Sequence, residues 1–428
     1  MSERTEPANE IVTVDVDNPA HGGSVIARMD GQVVFLSGGL PGEKDVTVAL
    51  DPAKGSNSKK SFRTGTATHI GKPSPHRVEG QCAAASLGGG CCDLDFVDAQ
   101  GSLEFKRDVV LDQLRRIGKI ELDEAVISTE SLTPSLGWRT RARLGVDEEG
   151  RAGVRKKNSH EVIPLSAATC AQWAAGLVAG LEEETFPAGA EIAVALGEQA
   201  GGKIDGEGAQ RSVVQLTGSR QRPQRKVIGG LKNVTHHVKM GDKEIAWDLP
   251  ADAFWQGHRA APEFYSQWLR QNIPADLGLG WDLYGGAGVF AAALADRVGA
   301  MDTVDTGSLS TDAGKEALAA AGIENVRFLS GEVSKSLDAL RTNDEENHGL
   351  HVVVLDPPRT GAGAKVVERI AEFGPRYVAH VGCDPATASR DLAAWIQSGY
   401  EIKQLTIVDA FPLTHHVEML VLLQRVGE

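Results

Sequence analysis

Cys383 stands between an apolar run and a helix with a strong N-terminal signal. Residues 377–381 predict a short buried strand, and Asp384 and Pro385 suit the N-cap and the first position of a helix over 386–396. The dipole of such a helix favours a thiolate, the nucleophilic form of cysteine, whereas the carboxylate of Asp384 opposes it. Cys383 is therefore a candidate nucleophile, with a buried structural cysteine as the alternative.

Glu418 is a candidate base. It stands at the start of the apolar run 419–423, which predicts a closing strand, and a carboxylate there is costly unless it is exposed or functional. An exposed glutamate at the edge of a sheet is the alternative. His415 and His416 precede it, and we expect them to hold the loop rather than to take part in catalysis.

The other four cysteines, Cys82, Cys91, Cys92 and Cys170, lie in one central region, and glycines flank the adjacent pair. Glycines let the backbone stay close to a metal cluster on which sulfurs converge. Zinc is less favoured, because neither a C-x2-C spacing nor a histidine at ligand spacing occurs. Ordinary small buried residues are the alternative.

From residue 281 onward, predicted strands and helices alternate, which indicates a doubly wound parallel sheet. A strand at 281–284 leads through a glycine turn into a helix at 289–297, so backbone comes close to a ligand at the end of the strand. The three-glycine spacing of a dinucleotide site is missing. Asp282, just before the turn, instead suits a cationic ligand such as S-adenosylmethionine.

Three more acids follow later strands of this sheet. Asp305 stands where an acid would bind ribose hydroxyls, and Glu332 is in the equivalent place after the third strand. The strand 351–355 ends in Asp356, and the two prolines behind it cannot continue a strand. All three carboxylates are thus expected over the same edge of the sheet.

Basic residues cluster in an otherwise acidic chain. A net charge of −14 argues against long-range attraction to a polyanion, so local charge must decide. The basic residues are Lys54, Lys59, Lys60, Arg63, Lys72 and Arg77; then Arg139, Arg141, Arg143, Arg151, Arg155, Lys156 and Lys157; then those of 211–226. Three such segments favour an RNA-facing surface, and solvated basic loops are the alternative.

The 428 residues are enough for two to four domains. We predict an OB-like β-barrel at 1–72, a central α+β domain at 73–250 and an α/β domain with a doubly wound, Rossmann-like sheet at 251–428. No run of eighteen apolar residues occurs and the first ten residues are polar, so we expect no membrane span, no secretory signal and a cytoplasmic location. Five cysteines in such a chain do not indicate a disulfide framework.

Four motifs occur in an order that points to one family. They are Asp282-Leu283-Tyr284, Asp356-Pro357-Pro358-Arg359, Cys383-Asp384-Pro385-Ala386-Thr387 and Phe411-Pro412-Leu413-Thr414-His415-His416-Val417-Glu418. Over nearly its whole length the chain resembles the class I S-adenosylmethionine-dependent RNA 5-methyluridine methyltransferases. Its N-terminal barrel resembles a TRAM domain, an RNA-binding module.

This resemblance implies that Cys383 is the nucleophile and Glu418 the proton acceptor. The cofactor site it implies consists of Gln256, Asp282, Tyr284, Asp305, Asp356 and, as a looser match, Glu332. It further implies a [4Fe-4S] cluster on Cys82, Cys91, Cys92 and Cys170. The expected partner is rRNA or tRNA, with no membrane, and the protein is expected to be a monomer.

Three positions depart from the family's pattern. Gly285 replaces a cysteine, Asp384 replaces an asparagine, and Gly89-Gly90-Cys91-Cys92 replaces a C-G-G-C run. Adjacent cysteines can bind one cluster only if the backbone turns sharply between them, so a cluster with three protein ligands, or none, is also open. Asp384 is expected to disfavour the thiolate.

The expected chemistry follows from the weak nucleophilicity of uracil C5. A thiolate adds at C6, the activated C5 takes the methyl group from the sulfonium, and a carboxylate removes the C5 proton before the thiol leaves. Because C6 is buried in a base stack, the target must lie in a loop or be flipped out.

Two other functions remain open at this point. An RNA 5-methylcytidine enzyme would want a Pro-Cys pair where Gly382-Cys383 stands. A non-catalytic RNA-binding protein would not need Cys383, Glu418 and Asp356 together.

Overall fold

Short alternating strands build the N-terminal sheet of the computed structural model, which describes residues 10–52, 62–198, 204, 209–219, 222–342 and 349–427. The strands are β1 (Ile11–Val14), β2 (Val16–Ala20), β3 (Ser24–Met29), β4 (Gln32–Ser37), β5 (Lys44–Leu50) and β6 (Phe62–Lys72), in the order β1-β5-β6-β4-β3-β2. Val46, Val48 and Leu50 alternate into its core, as the period of two requires. Phe105 and Val109, from further along the chain, complete that core.

The next part of the chain contributes strands to three different sheets. Its elements are α1 (Ala83–Ser86), α2 (Ala99–Gln113), β7 (Ile127–Ser131), β8 (Arg141–Val146), β9 (Ala152–Arg155), β10 (Val162–Pro164), β11 (Glu191–Gly197), β12 (Gln210–Ser219), β13 (Arg222–Gly230), β14 (Val234–Met240) and β15 (Lys243–Leu249). Strands β8 to β13 form a central sheet in the order β10-β9-β8-β11-β12-β13, and β14 pairs with β15.

The C-terminal domain alternates strands and helices, as predicted. Its elements are α3 (Ala261–Asn272), β16 (Leu277–Leu283), α4 (Val289–Leu294), β17 (Val298–Asp305), α5 (Ser308–Ala320), β18 (Val326–Ser330), α6 (Val333–Ser336), β19 (Leu350–Leu355), α7 (Ala364–Glu372), β20 (Tyr377–Gly382), α8 (Pro385–Gln397), β21 (Tyr400–Asp409) and β22 (Glu418–Arg425). The strand order is β18-β17-β16-β19-β20-β22-β21-β7, and β22 alone runs antiparallel to its neighbours.

Strand β7 and helix α2 belong structurally with this C-terminal sheet. Ile127 of β7 pairs with Leu405 of β21 in parallel, and Val110 and Leu114 from α2 and the turn after it lie in the core beneath the sheet. Both elements fall in the 73–250 range that was assigned to a central domain. The described chain therefore crosses from the barrel to the C-terminal sheet before it builds the central sheet.

The middle of the C-terminal sheet is buried on both faces. Val352, Val353 and Val354 of β19 are fully buried, as expected for a parallel strand covered by helices on both sides. Strand order reverses between β16 and β19, and a crevice for ligands forms at such a point. Among the described residues, no helix is long and apolar enough to cross a membrane.

Candidate active site

A cleft of about 1500 Å³ opens at the C-terminal ends of these parallel strands. Cys383 follows β20, Asp356 follows β19 and Glu418 begins β22, and all three line this cleft. Arg143 and Arg155 of the central sheet line the facing wall. The predicted nucleophile and base are thus brought together, in a space large enough for more than one ligand.

Cys383 is half-buried just before α8, as the sequence predicts. Asp384 caps that helix, because its Oδ1 accepts hydrogen bonds from the N–H groups of Ala386 at 3.1 Å and Thr387 at 2.9 Å. Burial raises the pKa of Cys383 to about 12, the charges of Glu418 and Asp356 add to this shift, and Arg359 opposes it. The thiol is therefore neutral without ligands, and burial outweighs the expected effect of the helix dipole.

Glu418 is only 5% exposed, so it is not an exposed glutamate at a sheet edge. Its Oε2 makes no hydrogen bond to any described residue. Burial holds the pKa of this carboxyl well above its usual value, the charge of Asp356 adds to the shift, and Arg359 opposes it. A buried carboxyl with a raised pKa and one oxygen without a partner is a group prepared for proton transfer.

Asp356 links the reacting groups to the rest of the cleft. Its Oδ2 accepts a hydrogen bond from Nε2 of Gln256 at 3.1 Å, which brings the predicted cofactor-contacting glutamine into the cleft. Burial raises the pKa of Asp356 to about 7, while the bond from Gln256 lowers it and the charge of Asp305 raises it. A cationic ligand beside Asp356 would favour its ionised form.

Tyr284, Asp305 and Glu332 line the cleft around the glycine turn. Asp305 shapes that turn, because its Oδ2 accepts from the N–H of Gly286 at 3.2 Å and its Oδ1 from the N–H of Gly307 at 2.6 Å. Glu332 is exposed at the rim, where it pairs with Lys335 at 2.6 Å. The predicted acids thus follow successive strands and reach one cavity.

Asp282 does not reach the cleft. It is fully buried, and its Oδ2 accepts from the N–H of Ala291 at 3.1 Å and from Oγ1 of Thr303 at 3.3 Å. The prediction that Asp282 faces the cofactor is therefore wrong for this structure; Asp282 instead fixes the first turn of α4. The same packing leaves no room for a side chain at Gly285, because an added Cβ would lie 2.2 Å from Oγ1 of Thr303.

The sequence assigns no role to two further residues that line the cleft, Phe254 and Arg359. Phe254 is 64% exposed and lies against the glycine turn, and Arg359 lies between Cys383 and His416, with Nη2 3.2 Å from Nε2 of His416. Both were visible in the motifs, since Phe254 begins Phe254-Trp255-Gln256 and Arg359 ends the Asp-Pro-Pro-Arg run. Only the structure brings their exposed side chains to the reacting groups.

Comparison with known proteins identifies the family. The family model of the tRNA (uracil-5-)-methyltransferases matches residues 204–426, and the TRAM domain model matches residues 8–53. The chain belongs to the tRNA (uracil-5-)-methyltransferase family. It is 40% identical, over 446 residues and 100% of both chains, to an uncharacterized RNA methyltransferase of Corynebacterium glutamicum. A second such relative, from Streptomyces coelicolor, is 33% identical over 99% of this chain and 95% of its own.

The methyltransferase also has the fold of a solved structure. The tRNA (uracil-54, C5)-methyltransferase of Pyrococcus abyssi, in complex with S-adenosyl-L-homocysteine, superposes with a TM-score of 0.67 at 16% identity, covering 96% of this chain and 100% of that one. The predicted fold class is confirmed. Family membership makes this chain an S-adenosylmethionine-dependent RNA uracil-5 methyltransferase and excludes the non-catalytic alternative.

The four remaining cysteines of the methyltransferase converge. The sulfurs of Cys82 and Cys91 lie 3.7 Å apart, those of Cys92 and Cys170 lie 3.6 Å apart, and all four lie within 4.8 Å of one another. The sulfurs of the adjacent Cys91 and Cys92 therefore lie in the same cluster, although the spacing of these cysteines departs from the family pattern. Both family models leave the segment between residues 53 and 204 unmatched, so this geometry rests on the structure alone.

A short loop connects the cysteine cluster to the active site. Asp93 follows Cys92 and accepts hydrogen bonds from the N–H of His415 at 3.0 Å and from its Nδ1 at 2.5 Å. His415 thus holds the loop, as expected. Burial, together with the charges of His415 and Arg359, lowers the pKa of His416 to about 3, so His416 is neutral.

Two of the predicted RNA-facing arginines point into the protein instead. Arg77 donates from Nε and Nη2 to the buried carboxylate of Glu43 at 2.5 and 2.9 Å. Arg141 is only 9% exposed, and its Nη1 donates to the carbonyl of Pro250 at 2.8 Å. These two predictions are wrong, because the buried guanidinium of Arg141 and the half-buried one of Arg77 use their donors on the protein. The predicted Lys54, Lys59 and Lys60 lie outside the described residues.

Other basic residues do face the cleft. Arg139, Arg143 and Arg155, from the central part of the chain, line the same cleft as the reacting groups. Glu191 pairs with Arg143 at 3.4 Å and with Arg155 at 2.8 Å, so one carboxylate is shared between two guanidinium groups. A net positive wall remains beside the cavity that holds Cys383.

Proposed function

We propose that the methyltransferase converts a uridine of rRNA or tRNA into 5-methyluridine through a transient bond between Sγ of Cys383 and C6 of the base. The observation that carries this proposal is the shared cleft, in which Cys383, Glu418 and Asp356 meet from three separate strand ends. Addition needs a thiol that can become a thiolate, and proton removal needs a carboxylate beside C5; Cys383 and Glu418 bring these two groups into one cavity.

S-adenosylmethionine would bind beside the glycine turn and supply the methyl group from its sulfonium. The residues that would hold it are Gln256, Tyr284, Asp305, Glu332 and Asp356, all of which line that part of the cleft. Asp282 would act only indirectly, by fixing the turn. The exposed ring of Phe254 offers an apolar surface next to the same turn.

In the first step Cys383 releases its proton to solvent in the open cleft, which leaves Sγ as the thiolate. Because its pKa is raised to about 12, positive charge near the sulfur is needed, and the guanidinium of Arg359 is the side chain that lowers this pKa. The new Sγ–C6 bond then forms, and the electron pair of the C5=C6 bond becomes available at C5 for the methyl group.

The last step requires a base at C5. After methylation C5 carries both the methyl group and its original proton. Glu418, as the carboxylate, accepts that proton, the C5=C6 bond forms again and the Sγ–C6 bond breaks. A carboxylate with a raised pKa binds this proton more readily than an ordinary glutamate would.

The RNA strand is proposed to enter between the two walls of the cleft. Arg139, Arg143 and Arg155 would contact phosphates on one side while the target base reaches Cys383 on the other. We also propose that residues 1–72 bind RNA and that residues 251–428 carry out methyl transfer, while the 73–250 part holds the cysteine cluster and adds Arg139, Arg143 and Arg155 to the RNA-binding surface. We further propose that the protein acts as a monomer in the cytoplasm.

The donor set of the cysteine cluster suits a metal, but its size does not suit the four-iron cluster that the resemblance implies. In a [4Fe-4S] cluster each cysteine binds a different iron at an outer corner, with four sulfides between the irons. Sulfurs that all lie within 4.8 Å of one another leave no room for that core. No step of methyl transfer is assigned to such a cluster.

Incubation with S-adenosylmethionine labelled in its methyl group and RNA from cells lacking the protein tests the proposal. Digestion to nucleosides should give labelled 5-methyluridine, and none with Cys383→Ala. Arg390→Ala, on the exposed face of the helix behind Cys383, is the control and should keep full activity. Label in 5-methylcytidine, or full activity of Cys383→Ala, would refute it.

A further inference from the structure

The cysteine cluster has the dimensions of a site for a single ion. Two pairs of its sulfurs are 3.7 and 3.6 Å apart, and no pair is further apart than 4.8 Å. Four thiolates bound to one Zn²⁺ at about 2.3 Å in tetrahedral geometry are separated by about 3.8 Å. The observed spacing therefore matches four ligands that share one ion.

We propose that Cys82, Cys91, Cys92 and Cys170 bind a single structural Zn²⁺ in a closed tetrahedral site. Cys82, Cys92 and Cys170 are buried and Cys91 is half-buried. Four thiolates fill the coordination sphere of zinc, which is the pattern of structural rather than catalytic zinc sites. The preference against zinc in the sequence rested on spacing along the chain, which does not limit ligands that meet only in the fold.

Close backbone packing explains how two adjacent cysteines can reach one ion. The N–H of Gly89 donates to the carbonyl of Ala84 at 2.8 Å, and that of Gly90 donates to the carbonyl of Arg155 at 3.0 Å. An added Cβ at Gly89 would lie 2.6 Å from the Ala84 oxygen. Only glycine lets this loop fold back so closely, and the loop carries Cys91 towards Cys82.

Neighbouring donors are arranged as they are around metal-bound thiolates. The N–H of Ala171 donates to Sγ of Cys82 at 3.5 Å, and Nε2 of Gln172 donates to Sγ of Cys92 at 3.3 Å. Nε of Arg139 in turn donates to Oε1 of Gln172 at 2.9 Å. Zinc with four thiolates carries a net negative charge, which this guanidinium and these N–H groups offset.

The zinc site would fix the loop that holds the active site. Leu413 packs against the cysteines, and its carbonyl accepts from the N–H of Leu94 at 3.0 Å. Asp93, next to Cys92, holds His415, and His416 contacts Arg359 beside Cys383. Binding of the ion thus orders the loop over 411–417 without taking part in the chemistry.

Metal and sulfide analysis of the full-length protein tests the proposal independently of activity. The protein is produced in cells with excess iron and purified without oxygen, so that an iron–sulfur cluster would survive. We expect one zinc per chain, no inorganic sulfide and a colourless solution. Replacement of zinc by Co²⁺ should give the intense visible bands of a tetrahedral thiolate site.

Two single-thiol variants sharpen this test. Cys91→Ser should lose zinc, whereas Cys383→Ser, which removes the cysteine outside the cluster, should keep one zinc per chain. If Cys91→Ser does not fold, the cobalt spectrum of the wild-type protein decides. Four irons with sulfide, two disulfides by mass, or a metal-free protein with Co²⁺ bands absent would each overturn the proposal. None of these outcomes bears on whether uridine is methylated.

Discussion

Within the active-site cleft, Oε2 of Glu418 makes no hydrogen bond to a described residue, and the pKa values of Cys383 and Asp356 are both raised. In the cysteine cluster, by contrast, every sulfur lies within 4.8 Å of three others, and N–H groups donate to the sulfurs of Cys82 and Cys92. The cleft keeps a carboxyl oxygen without a hydrogen-bond partner until ligands bind. The cysteine cluster gives its sulfurs lasting partners, and this difference distinguishes a reacting site from a structural one.

The two regions are nevertheless coupled through one loop. Asp93, which follows Cys92, holds His415, and His416 contacts Arg359 in the cleft. Variants should therefore fall into two classes, those that stop chemistry in an intact protein and those that loosen the fold and reduce chemistry as a consequence.

Cys383→Ala should have the largest effect on activity. Loss of a nucleophile that forms a bond removes the reaction path, so methyl transfer should fall by about 10⁴-fold or more. RNA affinity, thermal stability and metal content should stay near wild type, because the half-buried thiol makes few contacts. Methyl transfer to RNA under single-turnover conditions measures this, and a variant that keeps a tenth of the wild-type rate would contradict it.

Cys170→Ser should affect the second region first. Removing one of four ligands leaves the bound ion poorly held, so the melting temperature and the activity should fall together. Thermal unfolding and methyl transfer, measured on the same preparation, test this. A strongly destabilised variant with full activity would show that the ordered loop over 411–417 is not needed for catalysis.

Glu418→Gln should let the covalent RNA adduct form but not resolve. The amide cannot accept the C5 proton, so the adduct should accumulate on a denaturing gel while turnover is lost. Full turnover with no trapped adduct would rule out Glu418 as the base.

The same variant should change stability in a pH-dependent way. The pKa of Glu418 is raised in the folded protein above its ordinary value of 4.5, so the unfolded chain releases this proton first as pH rises. The wild type therefore loses stability above pH about 4.5. Glu418→Gln should melt a few degrees higher at pH 8 with no comparable gain at pH 4, and equal gains at both would argue against a buried protonated Glu418.

Arg359→Gln should have the smallest effect. The guanidinium lowers the pKa values of both Cys383 and Glu418, and both groups must lose a proton for turnover. The pH profile of kcat should therefore move upward by about one unit, with activity partly recovered at high pH. Arg359→Lys keeps the charge and is the matched control; a uniform loss at every pH would assign Arg359 to RNA binding instead.

Local patterns predicted much of the fold. The strand before Cys383, the Asp384 cap and the alternating strands of the barrel all depend on signals within a few residues, and the structure has each of them. Strand β7 gave no such signal, because its residues Ile127–Ser131 are largely polar and partly exposed. The place of β7 is decided by its pairing with β21, a strand that follows it by nearly 280 residues along the chain.

The site was harder to predict where burial decides the outcome. Asp282 and Arg141 carry charges that suggest ligand contact, yet both are buried: Asp282 beneath the helix that follows its strand, and Arg141 against Pro250, far along the chain. Cys91 and Cys92 looked too close along the chain to bind together, but the turn at Gly89 and Gly90 resolves that difficulty. Sequence shows which residues can react and not which of them the fold leaves accessible.

RNA containing 5-fluorouridine tests the central claim most directly. Fluorine at C5 cannot leave as a proton, so the bond between Sγ and C6 should persist after methyl transfer. Tryptic digestion should then place the nucleotide on Cys383 of the peptide 377–390. The methylated form of this adduct should appear only when S-adenosylmethionine is present. A nucleotide on any other cysteine, or labelled 5-methyluridine formed on ordinary RNA without any adduct on the fluorinated RNA, would contradict covalent catalysis by Cys383.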